Sequence, residues 1–310
     1  MTLQSDRAGQ AEQSEPTAPQ APAEPTGPHV PAGPYGPHED TDRIRAMVRD
    51  IDPGAAWAVG GPGGPGGPDA MVEAGAGAGA KAKAKAEAEA GVGAEAGVGA
   101  EAEPGTGTGG PAPAGALDVG GLTAVLAVWP VIGILVDAGE LSLHTPLTAY
   151  GAGDGLPAGT TAHHLLTHGG GPSSALAGLT ALAERLCGSP LAGFAADRIW
   201  GPLGMTRTRF AADGTLRAPI ADLARFLSHL LAPAADGPVS RAWTAESLRI
   251  RTGELIPARG LLWHPAPQGA WSHGEGPAVW ISPRRQRWAA LVPTAPSDSL
   301  RTAFRDAVFT

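Results

Sequence analysis

The spacing of hydrophobic residues differs from one segment of the chain to the next, and each spacing predicts a helix or a strand. The longest apolar run covers residues 122–136, fifteen in all, and it includes Pro130 and ends before Asp137 and Gly139. A membrane-spanning helix needs about 20 apolar residues, so this run predicts a helix buried in a protein core. The segment after it predicts an exit turn and a short connection, "GELSLHTPLTAY".

Three later segments place apolar residues at the spacing of amphipathic helices, with Arg and Asp on the other face. They are "SALAGLTALAERLCG", "PLAGFAADRIWGPLG" and "PIADLARFLSHLL". Further on, "AVWISP" and "QRWAALVP" predict two strands joined by the turn "SPRR". Upstream, "DTDRIRAMVRDID" predicts a helix, and "GAAWAVGG" with "DAMVEAG" predicts a hairpin. This order predicts an α/β or α+β domain in which helices flank an antiparallel sheet.

Composition divides the chain unevenly. Residues 1–116 are mostly Ala, Gly, Pro and Glu. Such segments bury too little apolar surface to offset the entropy of ordering the chain. We therefore predict a disordered Pro/Ala-rich tail over 1–40, a first helix and hairpin of the domain over 41–75, a low-complexity linker or insertion over 76–116, and the main domain over 117–310.

Acidic residues are concentrated in the N-terminal part. Residues 1–116 carry 16 acidic and 7 basic side chains, whereas residues 117–310 carry 14 acidic side chains and 15 arginines. The nearly neutral body lacks the basic surface that nucleic-acid binding requires. Cys187 is the only cysteine, and the N-terminus has no apolar core of a secretory signal. We therefore expect a cytoplasmic protein with neither a membrane nor a nucleic acid as partner.

Five phrases follow one another in the second half of the chain: "LVDAGELSLHTPL", "HHLLTHGGG", "FAADRIWGPLGMTRTRF", "IADLARFLSHLL" and "SHGEGPAVWISP". Together and in this order they resemble the serine beta-lactamase-related family. The family includes class C beta-lactamases, D-alanyl-D-alanine carboxypeptidases and related esterases. The resemblance implies a beta-lactamase/penicillin-binding-protein transpeptidase-like fold, and acyl transfer to water through an acyl-serine intermediate.

The family's site starts with a serine at the beginning of a buried helix and a lysine three residues later, one helical turn away. Two backbone N–H groups hold the oxyanion. Aligning "DVGGLTAVLAVWP" with this pattern places Gly121 at the nucleophile position and Ala124 at the lysine position. The only lysines are Lys81, Lys83 and Lys85, so the chain contains no Ser-x-x-Lys.

The family's other two elements are a Tyr-x-Asn motif and a Lys or His followed by x-Gly on an edge strand. The Tyr-x-Asn position falls at about Gly171, Pro172 and Ser173. It follows "LLTHGGG" so closely that we expect part of the helical lobe to be missing. The third element is kept in part as His273 with Gly274 and Gly276. The segment that follows is about two residues shorter than in the family pattern. His273 is then either a relic of the cleft or a polar residue at a strand end.

Other sources of chemistry have weaker support in the sequence. Ser173 or Ser174 could pair with His168 or His273, but no Gly-x-Ser-x-Gly elbow is present. His164 and His168 have a spacing that can bind zinc, although the family's phrase gives them a structural role. We predict no catalytic residue, no cofactor and no metal. Core packing is the expected role of Cys187 and of the tryptophans, among them Trp129, Trp200, Trp263 and Trp280.

Three hypotheses for the function remain open. The chain is a non-catalytic binding or regulatory protein that holds a small molecule or peptide in the old cleft, where the N–H of Gly121 faces a carbonyl or carboxylate. Alternatively it is a weak serine hydrolase with a relocated nucleophile, or a decaying gene product that folds poorly. The oligomeric state is left open.

Overall fold

Nine β-strands and eight α-helices make up the part of the chain that the computed structural model describes, residues 37–61, 71–74, 115–167, 172–253 and 257–310. The strands are β1 (Ala56–Gly60), β2 (Met71–Ala74), β3 (Leu117–Asp118), β4 (Arg209–Phe210), β5 (Leu216–Ala218), β6 (His264–Ala266), β7 (Ala270–His273), β8 (Ala278–Ser282) and β9 (Arg287–Val292). The helices are α1 (Pro37–Ile51), α2 (Trp129–Asp137), α3 (Ala162–Thr167), α4 (Pro172–Cys187), α5 (Leu191–Ala195), α6 (Ile220–Leu231), α7 (Arg241–Ser247) and α8 (Asp298–Phe309).

The larger sheet has six strands in the order β2-β1-β9-β8-β7-β6, and all of its pairs are antiparallel. β1 pairs with β9, with Ala58 opposite Ala290. The N-terminal hairpin therefore completes a sheet whose other strands come from the C-terminal end of the chain. A smaller sheet has the order β3-β5-β4, and of its strands only β3 lies just before the central helix in sequence.

Alternate side chains of the larger sheet pack into two separate cores, as the period of two in a strand requires. On one face Trp57, Trp280 and Leu291 pack with α1 and α8, which contribute Ile44 and Phe304. The other face packs against the helices that follow residue 117, and it includes Ala58, Val279, Ile281, Trp288 and Ala290. The sheet is thus covered on both faces.

The central helix runs through the second of these cores. It consists of a 3₁₀ turn (Gly120–Leu122), a π-helical turn (Ala124–Val128) and α2. Pro130 lies in the first turn of α2, and proline lacks the N–H that an α-helix uses and crowds the carbonyl four residues earlier. The wider π turn before it relieves that crowding. Residues 125–129 are completely buried.

Most elements predicted from the sequence are confirmed. The apolar run is a buried helix, and no helix among the described residues is long and apolar enough to span a membrane. The three amphipathic segments are α4, α5 and α6, the terminal strands are β8 and β9, and the upstream hairpin is β1 and β2. The predicted mixed fold with helices around an antiparallel sheet is confirmed. The predicted disordered tail and the linker fall almost entirely outside the described residues.

Candidate functional site

The start of the central helix is held by a short polar turn. Asp118 accepts the N–H of Gly120 at its Oδ1 over 3.0 Å, and the Thr123 hydroxyl donates to the Gly120 carbonyl over 2.8 Å. Gly121 between them is exposed, and its N–H has no acceptor among the described residues. The turn therefore presents one free backbone donor to solvent.

The end of strand β7 lies beside this donor. A Cβ at Gly121 would lie 3.8 Å from Cδ of Pro277, in the 274–277 turn that joins β7 to β8. Gly274 has a φ of 94°, and a Cβ there would lie 2.8 Å from Cδ2 of Leu122 and would overlap the Pro277 carbonyl. Only glycine fits position 274, both in backbone conformation and in space. The turn is therefore folded tightly against the helix start.

His273, the residue before this turn, is fixed by the neighbouring chain. Its Nδ1 lies 2.6 Å from the carbonyl oxygen of Leu262. A carbonyl can only accept, so Nδ1 carries the proton and Nε2 is the unprotonated nitrogen of the neutral ring. Burial disfavours the charged imidazolium and lowers the pKa of His273 from its usual value of 6.5 to about 4. The ring is therefore neutral at physiological pH.

Leu262 links His273 to helix α3. It has a left-handed φ of 64°, and its N–H donates to the Leu166 carbonyl over 2.8 Å. Next to it, Trp263 is completely buried, with its ring 5.9 Å from that of Trp129 and 6.5 Å from that of His273. The role of Leu262 could not be predicted, because nothing in the sequence marks a leucine for a left-handed conformation. By contrast, the Asp118 turn carries a recognisable signal, an aspartate shortly before two glycines.

The other candidate residues are not gathered at this site in the described structure. Tyr150 accepts the Ser142 N–H at its hydroxyl over 2.9 Å. Ser174 lines a cavity against α4 that His273 does not line. Cys187 is half-buried against the core, and burial raises the pKa of its thiol. Gly276 borders open space. His168, Gly171 and the side chain of Ser173 lie outside the described residues.

The sequence predicted core packing for the tryptophans and no metal site. The four tryptophans assigned to cores, Trp129, Trp200, Trp263 and Trp280, are all buried, which confirms that prediction. In the described ranges no group of three or more His, Cys, Asp or Glu side chains is arranged to hold a metal ion. The His164 ring makes a local bond instead, its Nδ1 accepting the backbone N–H of Thr161 over 3.4 Å. The second member of the predicted zinc pair lies outside the described residues.

Comparison with solved structures identifies the fold. A beta-lactamase from Mycobacterium bovis superposes with a TM-score of 0.59 at 20% identity, over 85% of this chain and 97% of that one. A D-alanine carboxypeptidase from Burkholderia cenocepacia gives 0.57 at 16% identity, over 86% and 99%. Simvastatin synthase from Aspergillus terreus gives 0.59 at 13% identity, over 89% and 98%.

These likenesses establish the fold of the chain. The chain has the fold shared by serine beta-lactamases, D-alanine carboxypeptidases and simvastatin synthase, which confirms at the level of the fold the resemblance seen in the sequence phrases. No family model and no curated protein matches the chain.

Proposed function

We propose that this chain is a non-catalytic member of the serine beta-lactamase-related family that binds a small molecule or peptide at the start of the central helix. The observation that carries the proposal is the free N–H of Gly121, exposed beside the turn that follows His273. That is where the family pattern would place a nucleophile and its oxyanion donor. The donor is present, and the nucleophile is not.

The side chains around this point argue against acyl transfer. The two positions of the family's Ser-x-x-Lys carry Gly121 and Ala124, which offer neither a hydroxyl nor an amine. The nearest hydroxyl in sequence, that of Thr123, donates to a backbone carbonyl of the same turn. A nucleophile requires a base within hydrogen-bond reach to activate it, and no lysine exists after residue 85.

The same groups suit the recognition of an amide. The Gly121 N–H can donate to a carbonyl or carboxylate oxygen, and neighbouring amides at a helix start favour negative charge. The neutral His273 ring keeps Nε2 as an acceptor, because Nδ1 is bonded to Leu262. A peptide offers both a carbonyl and an N–H. A peptide or acyl-amide ligand would therefore use both groups without being cleaved.

The structural neighbours suggest the probes for a test, since they include a beta-lactamase and a D-alanine carboxypeptidase. Benzylpenicillin and an acylated D-alanyl-D-alanine peptide are added to the purified chain, and intact mass, p-nitrophenyl butyrate hydrolysis and shifts of the Gly121 amide in NMR spectra are recorded. We expect a saturable shift, no covalent adduct and no turnover. A single adduct on one serine, made also by a fluorophosphonate, would instead establish a hydrolase with a relocated nucleophile.

Two substitutions at one position test the donor itself. Gly121→Pro removes the N–H at a position in a first helical turn where proline is tolerated, whereas Gly121→Ala keeps the N–H and adds only a methyl group. Binding should be lost in the proline variant and kept in the alanine variant. Equal binding by both variants would contradict the proposal. A broad, non-cooperative melt of the wild-type chain would favour the decaying gene product.

The proposed setting of this activity is the cytoplasm, with no nucleic acid as partner. The single cysteine, which can form no intramolecular disulfide, supports the cytoplasm. The near balance of 14 acidic residues and 15 arginines after residue 116 supports the absence of a nucleic-acid surface. Fractionation of cells that express the tagged chain would test the location.

A further inference from the structure

A second concave site lies between helix α4 and the 151–156 loop. The cavity has a volume of about 410 Å³, within the range of small-molecule sites. It is lined by Gly151, Ala152, Gly153, Asp154, Gly155, Leu156, Ser174, Ala177, Gly178, Ala181 and Arg185. Neither Gly121 nor His273 is among these residues, so the cavity is separate from the site described above.

The guanidinium of Arg185 lies directly over the loop. A Cβ at Gly151 would be 2.7 Å from Nη2 and 3.2 Å from Cζ of Arg185, so a glycine is required for the arginine to lie there. Gly151 also has a φ of 67°. Among the described residues Arg185 makes no ion pair, although the Asp154 carboxylate lines the same cavity. The cavity therefore holds a cation that lacks a close counter-ion.

Three consecutive backbone N–H groups of the loop also lack a hydrogen-bond partner among the described residues. The N–H groups of Gly153, Asp154 and Gly155 have no acceptor in the described structure, whereas those on either side of them bond within the loop. The sign of φ alternates, positive at Gly151, Gly153 and Gly155 and not at the residues between them. Successive residues of opposite handedness turn their N–H groups into a concave surface that binds anions.

Packing against α4 fixes the loop in this shape. A Cβ at Gly178 would lie 3.0 Å from Cδ1 of Leu156, so the leucine side chain packs directly over this glycine of the helix. At the other end the N–H of Ala152 donates to the Leu147 carbonyl over 3.1 Å. The free donors therefore belong to a loop anchored at both ends. The apolar part of the cavity wall consists of Leu156, Ala177 and Ala181.

We propose that this cavity binds a small organic anion, with its carboxylate or phosphate group on the Arg185 guanidinium and the 153–155 amides and a short apolar chain against Leu156 and α4. Charge-assisted hydrogen bonds from arginine and backbone N–H groups are the usual means of holding such oxyanions. Asp154 opposes the anion by like charge, so the site is weaker than it would be without that carboxylate.

The test uses hexanoate, acetate and hexyl phosphate as probes on the full chain, with backbone amide shifts followed by NMR. We expect saturable shifts at Gly153, Asp154 and Gly155, and hexanoate should bind at least about tenfold more tightly than acetate because its chain is buried. Whichever of hexanoate and hexyl phosphate binds more tightly shows whether the site prefers a carboxylate or a phosphate group. Shifts at Gly121 alone, or no saturation below about 10 mM with any probe, would overturn the proposal.

Variants of three charged residues make the test specific. Arg185→Gln should weaken binding of the tighter probe by about tenfold or more, and Asp154→Asn should tighten it. Arg198→Gln is the matched control, because Arg198 is also exposed and its guanidinium lies 5.8 Å from the Phe194 ring centroid, outside this cavity. Unchanged affinity in Arg185→Gln, with an unchanged melting temperature, would overturn the proposal.

Discussion

The indole N–H of Trp200 donates to the backbone carbonyl of Leu126 over 2.9 Å, inside the core. Pro130, four residues beyond Leu126, has no N–H to give to that carbonyl. The tryptophan therefore supplies a donor that the helix backbone lacks. A buried carbonyl without a partner would lower the stability of the fold.

Trp200→Phe should lower the free energy of unfolding by about 1–3 kcal/mol, because it removes this donor while keeping most of the aromatic packing. Urea denaturation followed by circular dichroism measures the loss. The control is the same substitution in a Pro130→Ala background, where the alanine N–H can serve the carbonyl. The loss should be smaller there, and equal losses in the two backgrounds would show that the bond contributes little.

Gly133→Ala should destabilise the chain by about 1–3 kcal/mol, although alanine is the better helix former. Gly133 is buried in α2, and a Cβ there would overlap the indole of Trp243, whose N–H donates to the Trp129 carbonyl over 3.2 Å. The matched control is Gly193→Ala in α5, where a Cβ meets nothing within 4 Å. The control should be neutral or slightly stabilising, and thermal melts that rank the two variants in the opposite order would contradict this packing argument.

Stability should fall as the pH is lowered from about 6.5 to 4, because of His273. Above this window the ring is neutral in both the folded and the unfolded chain, and His273 contributes no pH dependence. Within it the unfolded chain takes up a proton that the buried ring, with its pKa of about 4, does not. The loss amounts to roughly 3 kcal/mol by the lower end of the window.

The measurement is the free energy of unfolding at several pH values in wild type and in His273→Asn. Asparagine does not titrate, and its amide can still donate to the Leu262 carbonyl that His273 Nδ1 approaches at 2.6 Å. The variant should show a flatter dependence on pH across the window. His229 and His264, whose pKa values burial also lowers, should leave a residual slope. If the free energy of unfolding of His273→Asn depends on pH as steeply as that of wild type, His273 is not the source of the pH dependence.

Restoring the family's first two side chains should not restore activity. Gly121→Ser with Ala124→Lys supplies the hydroxyl and the amine, but no tyrosine is available at the Tyr-x-Asn position, and such residues act as a unit. Hydrolysis of p-nitrophenyl butyrate should therefore stay close to that of wild type. Robust turnover by the double variant would contradict the proposed loss of catalysis.

A serine should fit at position 121 without disturbing the fold. A lack of activity in the double variant would then reflect missing catalytic groups and not misfolding. Gly121 does not have a left-handed φ, and a Cβ at this position meets only Pro277, at 3.8 Å. Gly121→Ser alone should consequently melt no lower than wild type. A large drop in melting temperature would mean that the turn around Asp118 requires glycine at position 121.

Local patterns were enough to predict most of the elements. Among residues 122–136 the one polar side chain is that of Thr123. A helix with such a sequence is stable only when it is buried in a core. The period of two in "AVWIS" and "RWAALV" likewise predicted strands with two different faces, and Trp280 and Ile281 do face different cores. These predictions succeeded because burial depends on side chains only a few residues apart.

The candidate site was predicted less completely. The family pattern pointed to Gly121, His273 and Gly274, which the structure brings to one place through the contacts of Leu122 and Pro277. It did not point to Leu262, whose carbonyl fixes the histidine ring, or to the Arg185 cavity. Both depend on backbone conformations that nearby residues alone do not specify.

The sequence by itself determined the residue types: an apolar helix, a glycine and an alanine at the family's first two positions, and no lysine beyond residue 85. Only the tertiary structure decided which groups lack a partner among the described residues, such as the N–H of Gly121 and the guanidinium of Arg185. The physical reason is that side-chain identity is local, whereas a hydrogen-bond partner comes from whichever distant segment folding brings within about 3 Å.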